Sequence, residues 1–383
     1  MSDETFDKLQ ELQKSQGSAA AIDHLIAVLR NEKRYHQLFD ALLMKKRLEL
    51  GLGLVRPTSL KDVPEARRDE FEKVYVDSAR QVGELLLAEG SIPQAWHYFR
   101  AISEPNSVVA AIEALPDEGG APDEVVEIAL FQGISPVKGL SMYLASHGAC
   151  STITAFDQVS MQLPAEARRK CAEVLVRKLY TDVRENVQHD VLRRQPMNPP
   201  GQSLRELIGG REWLFADDSY HIDVSHLNSV VRFARFLDVG SPQLDQALQL
   251  AQYGSRLAQQ YQYAGNPPFD DFYPAHIQFF KALLGQDREQ ALDYFRSRIG
   301  DDVTETDNQM AAYVLVDLLQ RLDRRDEALE LACKYLAESA DEFGLSLPEL
   351  CAESGRLDLL LDLARKKGDV VNFAAALIGN RAP

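Results

Sequence analysis

Apolar residues recur at steps of three and four positions along most of the chain. The segment 64–90 is typical, with apolar side chains at Phe71, Val74, Tyr75, Ala79, Val82, Leu85 and Leu86. This spacing places them on one face of an α-helix. Pro64 suits the first turn of that helix and Gly90 suits its end. The segment 164–190 repeats the rhythm, so the pattern predicts a mainly helical protein.

Patterns typical of β-strands are scarce. Apolar and polar residues alternate only weakly, near "REWLFADD" and "YHIDV", whereas a half-buried strand alternates regularly. The rest of the chain consists of helical patterns separated by short turns, which predicts roughly 16–20 helices from typical element lengths. Helices this short bury too little apolar surface alone, so each is expected to pack against its neighbours.

Three segments share a finer pattern, in which an alanine early in a helix is followed four positions later by a second packing residue. The pairs are Ala95 with Phe99, Ala291 with Phe295, and Ala328 with Ala332, and a shorter copy of the pattern spans 349–369. An alanine at this position lets two antiparallel helices approach closely, because a larger side chain would hold them apart. The residue four positions later is expected to pack against the next hairpin.

These segments resemble the tetratricopeptide repeat family, whose consensus places an alanine early in the second helix, an aromatic residue four positions later and often a final proline. Ala95, Phe99 and Pro105 follow that order. Equivalent alanines further along are 44 and then 37 positions apart, whereas the family repeats about every 34 residues. The resemblance implies an all-α fold, a right-handed superhelix of antiparallel helical hairpins with irregular central inserts.

The helical pattern is interrupted between residues 191 and 228. This segment is rich in proline and glycine yet also carries aromatic residues, namely Pro196, Pro199, Pro200, Gly201, Gly209, Gly210, Trp213, Phe215 and Tyr220. Long irregular segments are usually functional loops or linkers, and the aromatic residues favour a small hairpin folded onto the helices. The sequence therefore predicts a helical solenoid at 1–190, an irregular insert at 191–228 and tetratricopeptide-like repeats at 229–383. A second irregular stretch lies at 262–280.

Composition narrows the classes of function. Hydrophobic residues make up 45% of the 383 positions, which is enough for a large core. With 42 Lys and Arg against 58 Asp and Glu, the formal charge is −16, and this makes nucleic acid an unfavourable partner. No apolar run approaches the ~20 residues that span a bilayer, and the acidic start lacks the features of a secretory signal. We expect a cytoplasmic protein without a membrane span.

The stretch "DDSYHIDVSHL", residues 217–227, concentrates polar side chains between two helical patterns. If 219–224 is extended, His221 and Asp223 point the same way, because side chains alternate along a strand. Ser225 suits the N-cap of the following helix, which would place His226 in its first turn. The three side chains are then expected to converge near a helix N-terminus.

Three interpretations of the irregular stretches are open. In the first, the acids cap helices and the histidines bond loop carbonyls. In the second, His221, Asp223 and His226 hold a divalent transition metal such as zinc, iron or manganese. In the third, helix N-termini and aromatic walls bind an anionic or peptide ligand. The candidate residues for that ligand site are Trp213, Tyr220, Asp270, Asp271, Tyr273 and His276.

Two functions fit these patterns. The first is a cytoplasmic scaffold whose stacked hairpins bind a protein or peptide partner. The second is a helical enzyme or sensor that binds a metal or an anion between the 213–227 and 266–280 stretches. The chain has no glycine-rich phosphate loop, G-x-S-x-G elbow or H-E-x-x-H pair. No catalytic residue is therefore assigned, and binding is favoured over catalysis.

Overall fold

The computed structural model describes residues 3–116, 121–196 and 201–379. Within these ranges the protein is all-helical, as predicted, with nineteen α-helices joined by short turns and 3-10 segments. The chain forms two compact units, Met1–Gly148 and Ala149–Pro383. No helix in the described ranges is both long enough and apolar enough to cross a bilayer.

The first unit is a run of helices in which α2 to α5 each pack against the next helix in the chain. A π-helical segment, Glu127–Phe131, follows α7. The helices are α1 (Asp3–Ser15), α2 (Ser18–Asn31), α3 (Tyr35–Glu49), α4 (Arg68–Ala88), α5 (Ile92–Ala101), α6 (Asn106–Glu113), α7 (Asp123–Val126) and the start of α8 (Pro136–Val159).

The second unit begins in the last turns of α8. Its longest helix, α9 (Ala165–Arg194), packs against α10 (Leu204–Ile208), α11 (Val224–Phe233) and α12 (Leu244–Gly254). From α12 onwards each helix packs against the next one. The later helices are α13 (Phe272–Leu284), α14 (Arg288–Arg296), α15 (Thr306–Arg321), α16 (Arg325–Tyr335), α17 (Leu347–Glu353), α18 (Leu357–Lys367) and α19 (Val370–Gly379).

The division between the two units differs from the boundary predicted near residue 190. Helix α8 is broken at Gly148, whose φ of 75° cannot continue a right-handed helix, and the first unit ends there. Position 190 lies instead inside α9, which packs against α10, α11 and α12 of the second unit. Of the predicted insert 191–228, Pro199 and Pro200 lie outside the described residues.

The predicted small hairpin in that insert is absent, because the described residues contain no β-strand. The pattern "REWLFADD" instead forms a 3-10 segment, Glu212–Asp218. Asp217 and Asp218 have φ of 53° and 57°, and residues in this left-handed region cannot extend into a strand. An isolated antiparallel bridge joins Ala264 and Asp271 in the second irregular stretch.

The alanines that the sequence places between paired helices are fully buried. Ala95, Ala291 and Ala328 have no exposed surface. In the first unit Phe99, four residues after Ala95, is 1% exposed. A methyl group at Gly83 of α4 would lie 2.6 Å from the Phe99 ring, so the absence of a side chain at Gly83 makes room for that ring.

Replacing Ala328 with leucine is expected to lower the free energy of unfolding by about 1–3 kcal/mol, because three extra heavy atoms must enter a filled interface. Denaturant titration followed by circular dichroism measures the change. The matched control is Ala375→Leu, on the exposed face of α19, which should change stability by less than about 0.5 kcal/mol. Equal effects of the two substitutions would contradict the helix register described here.

Candidate functional site

His221 fastens the loop before α11 to α9 and α12. Its backbone N–H donates to the Tyr253 hydroxyl at 2.9 Å, and that hydroxyl is also hydrogen-bonded to His221 Nδ1 at 3.0 Å. Nε2 of His221 lies 3.6 Å from an oxygen of Asp190, and the Asn186 amide donates to the His221 carbonyl at 2.8 Å. Burial lowers the pKa of His221, with Asp190 opposing. Both ring nitrogens therefore have contacts within the second unit.

Asp223, and not Ser225, is the N-cap of α11, so the prediction of a Ser225 cap is wrong. Asp223 Oδ1 accepts bonds from the Ser225 hydroxyl at 2.6 Å, the Ser225 N–H at 2.8 Å and the His226 N–H at 3.4 Å. These bonds, led by that of the Ser225 hydroxyl, lower the pKa of Asp223. A carboxylate is favoured here because it also meets the positive end of the helix dipole. His226 lies half-buried in the first turn, as expected.

The geometry around His221, Asp223 and His226 does not support the predicted site for a divalent transition metal. Among the residues that the structure describes, no group of three or more His, Cys, Asp or Glu side chains is placed to hold a metal ion. Of the three predicted ligands, His221 is held by Tyr253 and Asp190, and Asp223 caps α11. These contacts are of the kind expected from the first interpretation, in which the acids cap helices and the histidines bond groups of the surrounding loops.

The paired acids of the second irregular stretch are bound by one arginine. Arg298 Nη2 lies 2.6 Å from an oxygen of Asp271, and Nη1 bonds to Asp270. The same guanidinium lies 4.8 Å above the centre of the Tyr294 ring. Asp271 is also the residue before α13, although its side chain does not bond to the helix N–H groups. Both carboxylates thus have a cationic partner within the unit.

Tyr273 and His276, predicted to contact a ligand, lie in the packing of α13. Tyr273 is fully buried, and its hydroxyl donates to the Asn228 side chain. A methyl group at Gly254 would lie 2.1 Å from the Tyr273 ring, so glycine is needed there. His276 is 1% exposed and its Nδ1 donates to the Phe272 carbonyl at 2.6 Å. Burial lowers the pKa of His276 to about 3, so its ring is neutral at physiological pH.

Trp213 and Tyr220 are closer to the surface than these two residues. The Arg194 guanidinium lies 4.8 Å from the centre of the half-buried Trp213 ring. Tyr220 is 53% exposed and packs edge-on against Tyr261, with ring centres 5.1 Å apart. Tyr261 lines a cavity of about 430 Å³ beside α11, whose described lining is uncharged apart from Arg232. That cavity offers a charged ligand little electrostatic attraction.

A cavity of about 470 Å³ between α9, α11, α13 and α15 has a different character. We call it the arginine–aromatic cavity. Phe236, Phe269, Phe279 and Tyr313 contribute aromatic side chains to its lining. Its charged lining residues are Asp157, Arg168, Arg232, Arg235, Asp317 and Arg321. Four arginines against two aspartates leave two positive charges in excess.

Arg321 on α15 holds part of the cavity lining in place through hydrogen bonds. Its Nη1 donates to the carbonyl oxygens of Arg235 and Leu237, both at 2.7 Å. Its Nη2 lies 2.7 Å from an oxygen of Asp317, one helical turn earlier on the same face. These bonds tie α15 to the 3-10 turn Ala234–Phe236 that follows α11.

A second arginine of the cavity is also paired with a carboxylate. Arg232 Nη2 lies 2.9 Å from an oxygen of Asp157, and its guanidinium lies 4.9 Å from the centre of the Phe233 ring. Both partners are substantially exposed, at 40% and 50% of their side-chain surface. This ion pair therefore lies where the cavity meets solvent.

The other two arginines have no carboxylate partner among the described residues. Arg235 lies over the Phe269 ring at 4.6 Å from its centre, and its Nε donates to the Arg232 carbonyl at 3.3 Å. Arg168 lies over the Phe236 ring at 5.1 Å, and its Nη1 is 3.6 Å from the Met161 sulfur, a weak acceptor. Both guanidinium groups are oriented by aromatic rings and retain free N–H donors.

The electrostatics of the cavity favour an added negative charge. Burial, followed by repulsion from Arg232, lowers the pKa of Arg235 to about 10. Arg235 therefore remains charged at physiological pH but lies in surroundings that penalise its charge. Burial raises the pKa of Asp317, while Arg321 opposes this shift. An anion beside Arg235 would offset the penalty, because opposite charges close together stabilise each other's ionised form.

None of the four cavity arginines was predicted as a site residue. Arg232 and Arg235 lie in the sequence "RFARF", residues 232–236, in which cationic and aromatic residues alternate. That local signal, favourable to stacked guanidinium groups, was available in the sequence. Arg168 and Arg321 give no such signal. Arg168 lies in a helix rich in other charged residues, and Arg321 is the last residue of a mainly uncharged helix, with no aromatic residue beside it in the sequence.

Comparison with known proteins gives no match to a family model, a curated protein or a solved structure. The candidate site therefore rests on the geometry of the cavity.

Replacing Arg321 with glutamine is expected to lower the free energy of unfolding by about 1–3 kcal/mol, because two carbonyls and Asp317 lose a charged donor. Thermal and denaturant unfolding measure the loss. The control is Arg325→Gln, whose exposed ion pair with Asp323 and 3.3 Å hydrogen bond to the Glu353 carbonyl are expected to contribute less than about 1 kcal/mol. A neutral Arg321→Gln variant would show that the turn after α11 is held by other contacts.

Proposed function

We propose that this protein is a helical interaction protein whose second unit binds an organic anion in the arginine–aromatic cavity. The observation that carries the proposal is the presence of two ring-stacked arginines, Arg168 and Arg235, without a carboxylate partner among the described residues. They line a cavity with two excess positive charges in a chain whose formal charge is −16. Arginines held this way are typical of sites that receive carboxylate or phosphate groups.

The walls of the cavity indicate what the anion is attached to. Phe236, Phe269 and Phe279 contribute aromatic surface, and Met310 and Val314 of α15 add aliphatic surface. The volume of about 470 Å³ lies within the range of small-molecule sites, about 300–1,000 Å³. A ligand with an anionic group on an apolar or aromatic body uses both parts of this lining.

Two sources can supply that chemistry. One is a free small molecule, and the other is an anionic side chain of a partner protein or peptide, the partner class that the sequence predicts. Consecutive packed helices of the tetratricopeptide type, arranged as a right-handed superhelix, would present such a peptide with an extended surface. The arginine–aromatic cavity would then receive its anionic anchor.

Calorimetric titration of the full chain with benzoate tests the proposal, with benzyl alcohol as a ligand of similar shape and no charge. We expect saturable binding of benzoate and much weaker binding of the alcohol. Arg235→Gln should weaken benzoate binding about tenfold or more, because a charged hydrogen bond contributes about 1.5–3 kcal/mol. Circular dichroism of the variant checks that the fold is retained.

The matched control is Arg365→Gln. Arg365 also lies over an aromatic ring, 5.1 Å from the centre of Phe373, but it is exposed and outside the cavity. Its substitution removes the same charge and the same kind of stacking, and should leave benzoate binding within about twofold, because distant surface charges are screened. Equal losses in the two variants, or no saturable binding of either benzoate or phenyl phosphate, would overturn the proposal.

A further inference from the structure

We infer that the anionic group bound in the arginine–aromatic cavity is a doubly charged phosphate ester rather than a carboxylate. This inference rests on the proposed function and narrows it to one class of ligand. It follows from the number of uncompensated charges, from the donors left free on two arginines and from the apolar surface around them.

The charges of the cavity are balanced in two pairs and unbalanced at two positions. Asp157 is 2.9 Å from Arg232, and Asp317 is 2.7 Å from Arg321. Arg168 and Arg235 remain without a carboxylate partner among the described residues. A single carboxylate would neutralise one of these two charges, whereas a dianion would neutralise both.

The free donors also exceed what one carboxylate accepts. Arg235 donates Nε–H to the Arg232 carbonyl, and within residues 3–116, 121–196 and 201–379 its two terminal nitrogens have no hydrogen-bond partner. In the part of the chain that the structure describes, the one acceptor for the Arg168 guanidinium is the Met161 sulfur, 3.6 Å from Nη1. Each guanidinium therefore offers a fork of N–H groups, and a fork bonds two oxygens of one acceptor group. The three terminal oxygens of a phosphate ester can serve two forks, whereas a carboxylate has only two oxygens.

Other titratable and charged groups near the cavity act on every anion in the same direction. They are Asp157, Asp238, His276, Tyr313 and Asp317. His276 stays neutral above its pKa of about 3, and burial raises the pKa of Tyr313, which stays protonated. Asp317 has a raised pKa, so its protonation as the pH falls would strengthen the binding of all anions. If the binding of one anion weakens as the pH falls, the cause is then the protonation of that anion and not of the protein.

Phenyl phosphate and phenyl sulfate provide the discriminating pair. Both carry three terminal oxygens on the same ring, but phenyl sulfate keeps one negative charge at every pH used. A phosphate ester carries two charges above its second pKa of about 6 and one charge below it. At pH 8 we expect phenyl phosphate to bind the full chain at least about tenfold more tightly than phenyl sulfate, as expected for an added charge-assisted contact. At pH 5 the ratio should fall below about threefold.

Substitutions test whether Arg168 and Arg235 cause the preference for phenyl phosphate over phenyl sulfate. Arg168→Gln and Arg235→Gln should each bring the ratio at pH 8 close to one, whereas Arg365→Gln should leave it unchanged. Circular dichroism confirms that each variant is folded. A ratio near one in the unsubstituted protein at pH 8, with benzoate still bound, would overturn the phosphate inference and leave the proposed function intact. Failure of all the anions to bind would overturn both.

A further titration separates the two sources of the phosphate group. A blocked tripeptide with a central phosphotyrosine carries the phenyl phosphate group on a peptide backbone. Tighter binding of the tripeptide than of phenyl phosphate identifies a modified side chain of a partner protein as the ligand. Weaker binding identifies a free phosphate ester.

Discussion

The hydrogen bonds of Arg321 hold the arginine–aromatic cavity in shape. One guanidinium bonds the backbone carbonyls of Arg235 and Leu237 and the carboxylate of Asp317. Carbonyls at the end of a helix have no intrahelical partner, and burying them without a donor costs free energy. Arg321 supplies that donor from α15. The turn that it fixes is the turn that carries Arg235, so the position of Arg235 depends on this contact.

Stacking on aromatic rings prepares the two unpaired arginines, Arg168 and Arg235, to bind an anion. A guanidinium on a flexible chain loses conformational entropy when it binds an anion. Phe269 under Arg235 and Phe236 under Arg168 restrict the two side chains in advance, so less entropy remains to be lost on binding. The same rings provide apolar surface for the rest of a ligand.

The excess of positive charge in this cavity is local. The chain as a whole carries a formal charge of −16, but charges separated by more than a Debye length, about 8 Å at physiological ionic strength, act weakly on each other through solvent. An anion inside the cavity is therefore affected mainly by the lining arginines. The negative surface elsewhere is expected to slow the approach of anions more than it weakens their binding.

The sequence by itself determined the helices and the small residues between them, because helical periodicity and close packing at Ala95, Ala291 and Ala328 depend on neighbours a few positions away. It also placed acids at helix starts, although it chose Ser225 where Asp223 is the cap. Only the tertiary structure decided which charged residues lack partners. Arg168 and Arg235 come from elements far apart in the chain, and whether a carboxylate of another element lies beside either guanidinium depends on distances in space that no local pattern encodes.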